Sequence, residues 1–319
     1  DDEKAHELLR SFPNYMVLDD HEVLDGYGNA LSDEVKRLED SALAVYDEYV
    51  SARQPDSPGR YYSFEYGDAG FFVLDTRSER WREIGLAAMI DEPQMEALET
   101  WLRSSAHAVK FIITSVPFVA QLRPAGLDAR GARRSDEQSD KWSGAPWEAQ
   151  RERIISAIFE SKVERLLFLT GDMHCTYHAT MKIGLPHDRV TIHELAGGPI
   201  NQLLFAKRDD FYARYSGEFA NPRSNLGERN RPEELRESLE ARLPARLPRN
   251  LPWTSTLEAF HGAAPAILRV SISRRPDDAS PVVEWEALRT TKFSKPERDP
   301  HALCGRIHFP RGPMAQESP

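Results

Sequence analysis

The sequence predicts an α/β protein built from βαβ units, and three observations carry that expectation. Two continuous apolar runs, residues 109–116 and 166–170, have the length and composition of fully buried strands. Helical periodicity separates them, over residues 93–104 and 148–160. Ionisable residues gather where apolar runs stop, at Asp19-Asp20-His21-Glu22 and at Gly171-Asp172-Met173-His174. Open α/β sheets place their sites at such strand ends.

The elements follow in order. Residues before Asn14 read as a helix plus connector, and residues 14–18 as a short strand ended by the acidic run. Gly26 and Gly28 stop any continuation. Ser32 has the character of an N-cap, with Val35, Leu38, Ala42, Val45 and Tyr49 at helical spacing behind it. That helix should end before Pro55. Residues 61–66 and 70–75 read as strands around a Gly-Asp turn. Pro93 suits the first turn of a helix that reaches Ser104 and buries Met95, Leu98 and Leu102. Beyond the second buried strand the stretch Cys175-Thr176-Tyr177 reads as strand, so His174 and His178 do not share a helix face. Residues 266–273 and 282–288 return to strand, and residues 309–319 read as a mobile tail. Polar stretches near 124–143 and 207–252 read as insertions into a single domain spanning 1–319.

Composition narrows the class. The chain has 319 residues, 41 Lys+Arg against 51 Asp+Glu and a formal net charge of −10. A chain this long buries roughly 75% of its unfolded surface and needs no staples. Its two cysteines, Cys175 and Cys304, exclude a disulfide scaffold and a four-cysteine zinc site. No apolar run reaches the roughly 18 residues of a membrane span. The acidic balance gives no strong nucleic-acid signal. The chain opens at Asp1 without Met, which favours a truncated sequence whose targeting region is absent, so compartment and oligomeric state are not legible.

The two acidic clusters carry the chemistry. Like charges in contact raise one another's pKa unless a cation neutralises them, and carboxylate oxygens with imidazole nitrogens suit a hard or borderline metal. The alternatives are a polar turn at residues 19–22 and a core histidine capped by Asp172. His193-Glu194 before Gly197-Gly198-Pro199 either brings backbone N–H groups to an anion or makes a plain tight turn. Arg77, at a strand end, either clamps phosphate or pairs with Asp75. Cys175 as a nucleophile would need a base and a lowered pKa. The serine-elbow, phosphate-loop and dinucleotide patterns are absent.

At this point several ordered blocks resemble a family. Met16-Val17-Leu18-Asp19-Asp20-His21-Glu22-Val23, continuing through Asp25-Gly26-Tyr27-Gly28, resembles the W-D-D-H-[DE]-[IV]-x-D-G-[WY]-G signature of PhoD-like phosphatases. Phe72-Val73-Leu74-Asp75-Thr76-Arg77-Ser78 resembles their L-D-x-R-[ST] strand. Residues 94–104 and 110–117 resemble their helix-strand passage. Leu169-Thr170-Gly171-Asp172-Met173-His174 is similar to their S-G-D-x-H motif, and Gly197-Gly198-Pro199-Ile200-Asn201 to the following S-G-x-x-N.

The resemblance implies a calcineurin-like metallophosphoesterase fold, a two-sheet β sandwich flanked by helices, incomplete at its N-terminus. It implies hydrolysis of small-molecule phosphate monoesters or diesters by a metal-activated hydroxide, with divalent or trivalent ions, calcium and/or iron, as cofactors. Asp20, Asp172 and His174 would hold metal, His21 would be catalytic, and Arg77 would bind substrate. Ser115 stands where many superfamily members place a metal-binding histidine, and Leu18 replaces the usual Trp. The upstream G-D-x-x-Y-x-D-type block of the family does not precede Asp19. The rival expectation is therefore a catalytically incomplete binding or scaffold protein on the same fold. A cysteine-dependent hydrolase using Cys175 is a third.

Overall fold

Alternation along the buried strands builds the layers. In β5 (Val109–Thr114) and β6 (Leu166–Thr170), Ile112, Leu166 and Phe168 join a core shared with helices, while Val109, Phe111 and Leu167 join a second core shared with another sheet. Successive side chains of a strand point to opposite faces, so one continuous apolar run serves both cores. The computed structural model describes residues 3–24, 26–28, 33–83, 86–104, 107–120, 140–198, 218–220, 251–262, 266–277, 280–289 and 304–309.

The chain begins with α1 (Glu3–Ser11) and α2 (Asp33–Tyr49), then a 3-10 turn at Ser51–Arg53. Next come β1 (Tyr62–Tyr66), β2 (Ala69–Val73), the hairpin of β3 (Trp81–Glu83) and β4 (Leu86–Ala88), and α3 (Glu92–Arg103). After β5 follow a 3-10 turn at Ala145–Trp147, α4 (Glu148–Glu160) and β6. A long hairpin of β7 (Thr176–Leu185) and β8 (Asp188–Ala196) precedes β9 (Glu218–Ala220) and β10 (Trp253–Gly262). The last strands are β11 (Ala266–Arg274), β12 (Pro281–Arg289) and β13 (Cys304–His308).

The main sheet has eight strands in the order β1-β2-β5-β6-β8-β7-β10-β9. Its centre, β2, β5, β6 and β8, is parallel, and antiparallel pairs flank it on both sides. The crossovers β2-α3-β5 and β5-α4-β6 put both helices on one face, where Met95, Leu98, Ile154 and Ile158 pack on Phe72, Ile112 and Phe168. The other face is covered by the antiparallel sheet β11-β12-β13, through Val283, Trp285 and Ile307 against Val109, Phe111, Leu167 and Leu195.

Local chemistry explains the helix ends. Asp91 caps α3 by accepting the Gln94 N–H at 3.0 Å, with Pro93 in the first turn. At the other end the Lys110 ammonium donates to the carbonyls of Trp101 (2.7 Å) and Leu102 (2.8 Å) and to that of Ser104. These are the carbonyls a helix leaves without partners, and a cation there also complements the helix dipole.

One expectation changes. Residues 14–18 form no strand; Tyr62 donates its hydroxyl to the Met16 carbonyl at 2.8 Å, and Tyr15 stacks on Phe64 with ring centroids 3.7 Å apart. Side chains hold this segment beside β1, so the backbone ladder stops at β1. Strands β3, β4, β9, β10 and β13 were not legible from apolar runs, because each is short or only half covered. Ser32, residues 121–139, most of 207–252 and the tail from 310 lie outside the described residues.

Candidate functional site at the carboxyl ends of the strands

The central strands end at one edge of the sheet, and the segments after β2 and β6 bring polar side chains together there. After β2, the Asp75 backbone is pinned by Gln94 of α3, whose amide donates to the Asp75 carbonyl (3.1 Å) and accepts from the Asp75 N–H (2.9 Å). Gln94 is fully buried and acts here as a short piece of strand. The Asp75 carboxylate then receives the N–H groups of Arg77 (3.0 Å) and Ser78 (2.9 Å), a turn that sends the Arg77 side chain back across the sheet end.

Arg77 is the hub. Its side chain is completely buried and touches four carboxylates: Asp19 at 2.7 Å, Asp140 at 2.7 Å, Asp172 at 3.4 Å and Asp20 at 4.0 Å. It also donates to the Tyr27 carbonyl at 3.0 Å. Burial works against its charge, but these carboxylates outweigh that and raise its pKa. Asp140 also accepts from Arg80 and from Lys141 (2.8 Å). Burial favours its neutral form, yet Lys141, Arg77 and Arg80 together hold its pKa far below the usual carboxylate range. Gly28, at φ +94°, lets Arg80 in: a Cβ there would sit 3.0 Å from Arg80 Cδ.

Asp20 is fixed by its own turn. Its carbonyl accepts from Val23 (2.9 Å) and Leu24 (2.8 Å), and its carboxylate from Gly26 N–H (2.8 Å). Glu22 folds back to accept the Asp19 N–H at 2.8 Å. Asp172 follows β6 in left-handed backbone, φ +60°, and His174 repeats it at φ +52°. The Met173 N–H reaches the Gly171 carbonyl at 2.6 Å and closes a three-residue turn about Asp172. Such conformations cost about 1–3 kcal/mol each and persist where surroundings over-determine them. Asp172 contacts Lys141, yet its buried Oδ2 receives no well-aligned hydrogen bond. Burial raises its pKa, Lys141 opposes that, and the charges of Asp19 and Asp140 add to it.

Among the described residues, Asp19, Asp20 and Asp172 bring one carboxylate oxygen each within 4.8 Å of one another. An all-oxygen set of this kind fits a hard cation. Asp20 and Asp172 thus meet, as the sequence predicts, and Asp19 joins them. His174 and His21 do not belong to this converging set; His21 is exposed on the turn after Asp20. Arg77 lies with its whole guanidinium buried among carboxylates and pairs with Asp19, Asp140 and Asp172. Ser115 shares a hydrogen bond of 2.7 Å with Thr76.

Other candidates resolve into structure. Glu194, completely buried in β8, accepts the N–H groups of Phe118, Val119 and Ala120 at 2.7–2.9 Å and the Tyr177 hydroxyl at 2.9 Å. His193 lies 3.1 Å from His178 between the sheets. Gly197 and Gly198 spend their N–H groups on Thr170 and Thr176. Cys175 is fully buried, and burial together with Asp172 pushes its thiol up to about 12, so it is no thiolate near neutral pH. Asp140, Lys141 and Arg80 escaped sequence reasoning. Their one signal was position, Arg80 three residues after Arg77 and Asp140-Lys141 where the insertion meets the buried Trp142.

Fold and site together define an α/β protein with a cluster of converging carboxylates, balanced by buried cations, at the carboxyl edge of a mixed sheet. The chain belongs to the PhoD-like phosphatase family, whose model matches residues 1–236. Alkaline phosphatase D of Bacillus subtilis (strain 168) is 30% identical over 204 residues, which cover 54% of this chain and 33% of that protein. A solved structure described as the structure of PhoD superposes with a TM-score of 0.52 at 19% identity, over 90% of this chain and 50% of that one. The chain therefore spans half or less of the length of these relatives.

Proposed function

We propose that this chain carries the phosphoester-hydrolysing site of a PhoD-like phosphatase, as one metallophosphoesterase domain of the calcineurin-like type. The observation that carries this reading is the convergence of Asp19, Asp20 and Asp172 within 4.8 Å at the strand ends of a chain in that family. Asp20 and Asp172, with Asp19, would hold a hard cation, calcium or iron, and His174, two residues beyond Asp172, would be a further ligand only if its side chain turned toward them. Bound there, a cation polarises phosphoryl oxygens and lowers the pKa of water. The chain's own residues do the rest. Asp19, Asp20 and Asp172 are oriented before any ligand arrives, because Arg77 and the turns at residues 19–24 and 171–175 fix their carboxylates. His21, exposed on the turn after Asp20, would give a proton to the departing alkoxide oxygen. Arg77 acts as a positioning residue. The substrate is a small phosphate monoester or diester.

The second reading, a binding or scaffold protein, is favoured by one observation: Arg77, Arg80 and Lys141 already neutralise most of the acidic cluster. Hydrolysis of p-nitrophenyl phosphate and bis-p-nitrophenyl phosphate, with calcium, iron or chelator, separates the two. Activity that chelator removes, and that Asp172→Asn and His21→Ala abolish while the fold survives, supports the hydrolase. Metal binding without turnover of either ester supports the scaffold.

A further inference from the structure

Lys141 is a cation in the place of a ligand. Its side chain is one-tenth exposed, and its ammonium lies between Asp140, at 2.8 Å, and Asp172. Asp140 is also held by Arg77 and Arg80, so it keeps two cations whatever Lys141 does. The particular contribution of Lys141 is to Asp172, one of the three acids whose oxygens converge. Arg77 also contacts Asp172, but at 3.4 Å, while its shorter bonds go to Asp19 and Asp140. Trp142, completely buried against Phe118 and donating to Thr114 at 3.3 Å, anchors the backbone next to Lys141. Only the flexible tetramethylene stem is left to move, and an ammonium on such a stem changes partner more readily than a forked guanidinium.

We propose that Lys141 is a built-in competitor for the cation site: its ammonium holds Asp172 while no metal is present, and withdraws to Asp140 when Asp19, Asp20 and Asp172 take one up. The chain can then fold without metal, and cation uptake is weakened by the work of displacing an ion pair. This rests on the metal-centre reading above. A plain structural ion pair would predict the reverse, because losing Lys141 would disorder Asp172 and weaken binding.

Calorimetric titration of the whole chain with calcium and with manganese tests it, beside thermal unfolding with and without each ion. Lys141→Met and Lys141→Gln should bind about tenfold more tightly than the parent, and the metal should raise their unfolding temperature by more. Lys141→Arg, which keeps the charge, should bind no more tightly than the parent. Equal or weaker binding by the neutral variants overturns the proposal and leaves the metal centre standing. Equal tightening by Lys141→Arg also overturns it, since charge would not be the cause. No binding by any form overturns the metal centre and this inference with it.

Discussion

Arg77 shows how much rests on one side chain. A buried guanidinium among carboxylates costs desolvation and regains it only when every partner is present. Removing it leaves Asp19, Asp140 and Asp172 facing one another with their shared cation gone and Asp140 and Asp172 largely buried. Arg77→Met should therefore lower unfolding free energy by about 3–5 kcal/mol, measured by urea denaturation. Arg77→Lys should recover only part, because one ammonium cannot reach several acids as a fork does. Cys175 provides a second check at this scale. Native protein treated with iodoacetamide near neutral pH should be labelled at exposed Cys304 and spared at buried Cys175. Labelling of Cys175 with loss of activity would revive the thiol mechanism.

Among the elements, β8 is the one that ties layers together, through two residues on opposite faces. On the helix side Glu194 gathers three consecutive backbone N–H groups and so fixes the chain that leaves β5. Glu194→Ala would leave four buried donors without acceptors, at about 1–3 kcal/mol for each that stays dry. Hydrogen exchange should show it as lost protection of the Val119 and Ala120 amides. On the other side His193 meets His178 beneath Trp285 and Phe309. Burial and the neighbouring His178 push His193 down to about 4, and burial lowers His178 too. The unfolded chain takes up these protons near pH 6.5, before the folded chain does. The pair's contribution is thus complete above about pH 6.5, falls as pH drops, and is lost below about 4, for about 3 kcal/mol from His193. Denaturation midpoints between pH 7 and pH 4 should show this slope, and His193→Gln should flatten it.

For the whole molecule, the balance of charge in the cluster decides what metal does to the fold. Clustered acids alone would repel, and chelation would then be strongly destabilising. Four carboxylates here face Arg77, Arg80 and Lys141, so the repulsion is largely offset inside the chain. Chelated protein should still unfold cooperatively. Added cation should stabilise only by mass action, about 2.7 kcal/mol at a hundred times its dissociation constant. A chain that loses cooperative unfolding in chelator would show that these internal cations do not suffice.

The sequence determined what depends on neighbours along the chain. Helix α4 and strand β6 stand where periodicity and apolar content place them, at Glu148–Glu160 and Leu166–Thr170. Asp20 and Asp172, whose carboxylates converge, were legible as candidates because acids directly after apolar runs stand out, and ordered motifs named the family. Tertiary structure decided what depends on residues far apart. Asp140 and Lys141 lie more than sixty positions beyond Arg77, and nothing local marks them as its neighbours. Arg77 reads from sequence as either a phosphate clamp or a partner of Asp75, and which distant carboxylates it meets is set by which strand ends converge. Edge strands such as β13 likewise acquire their buried face only from the sheet that packs on them, since a short half-apolar run has no pattern of its own.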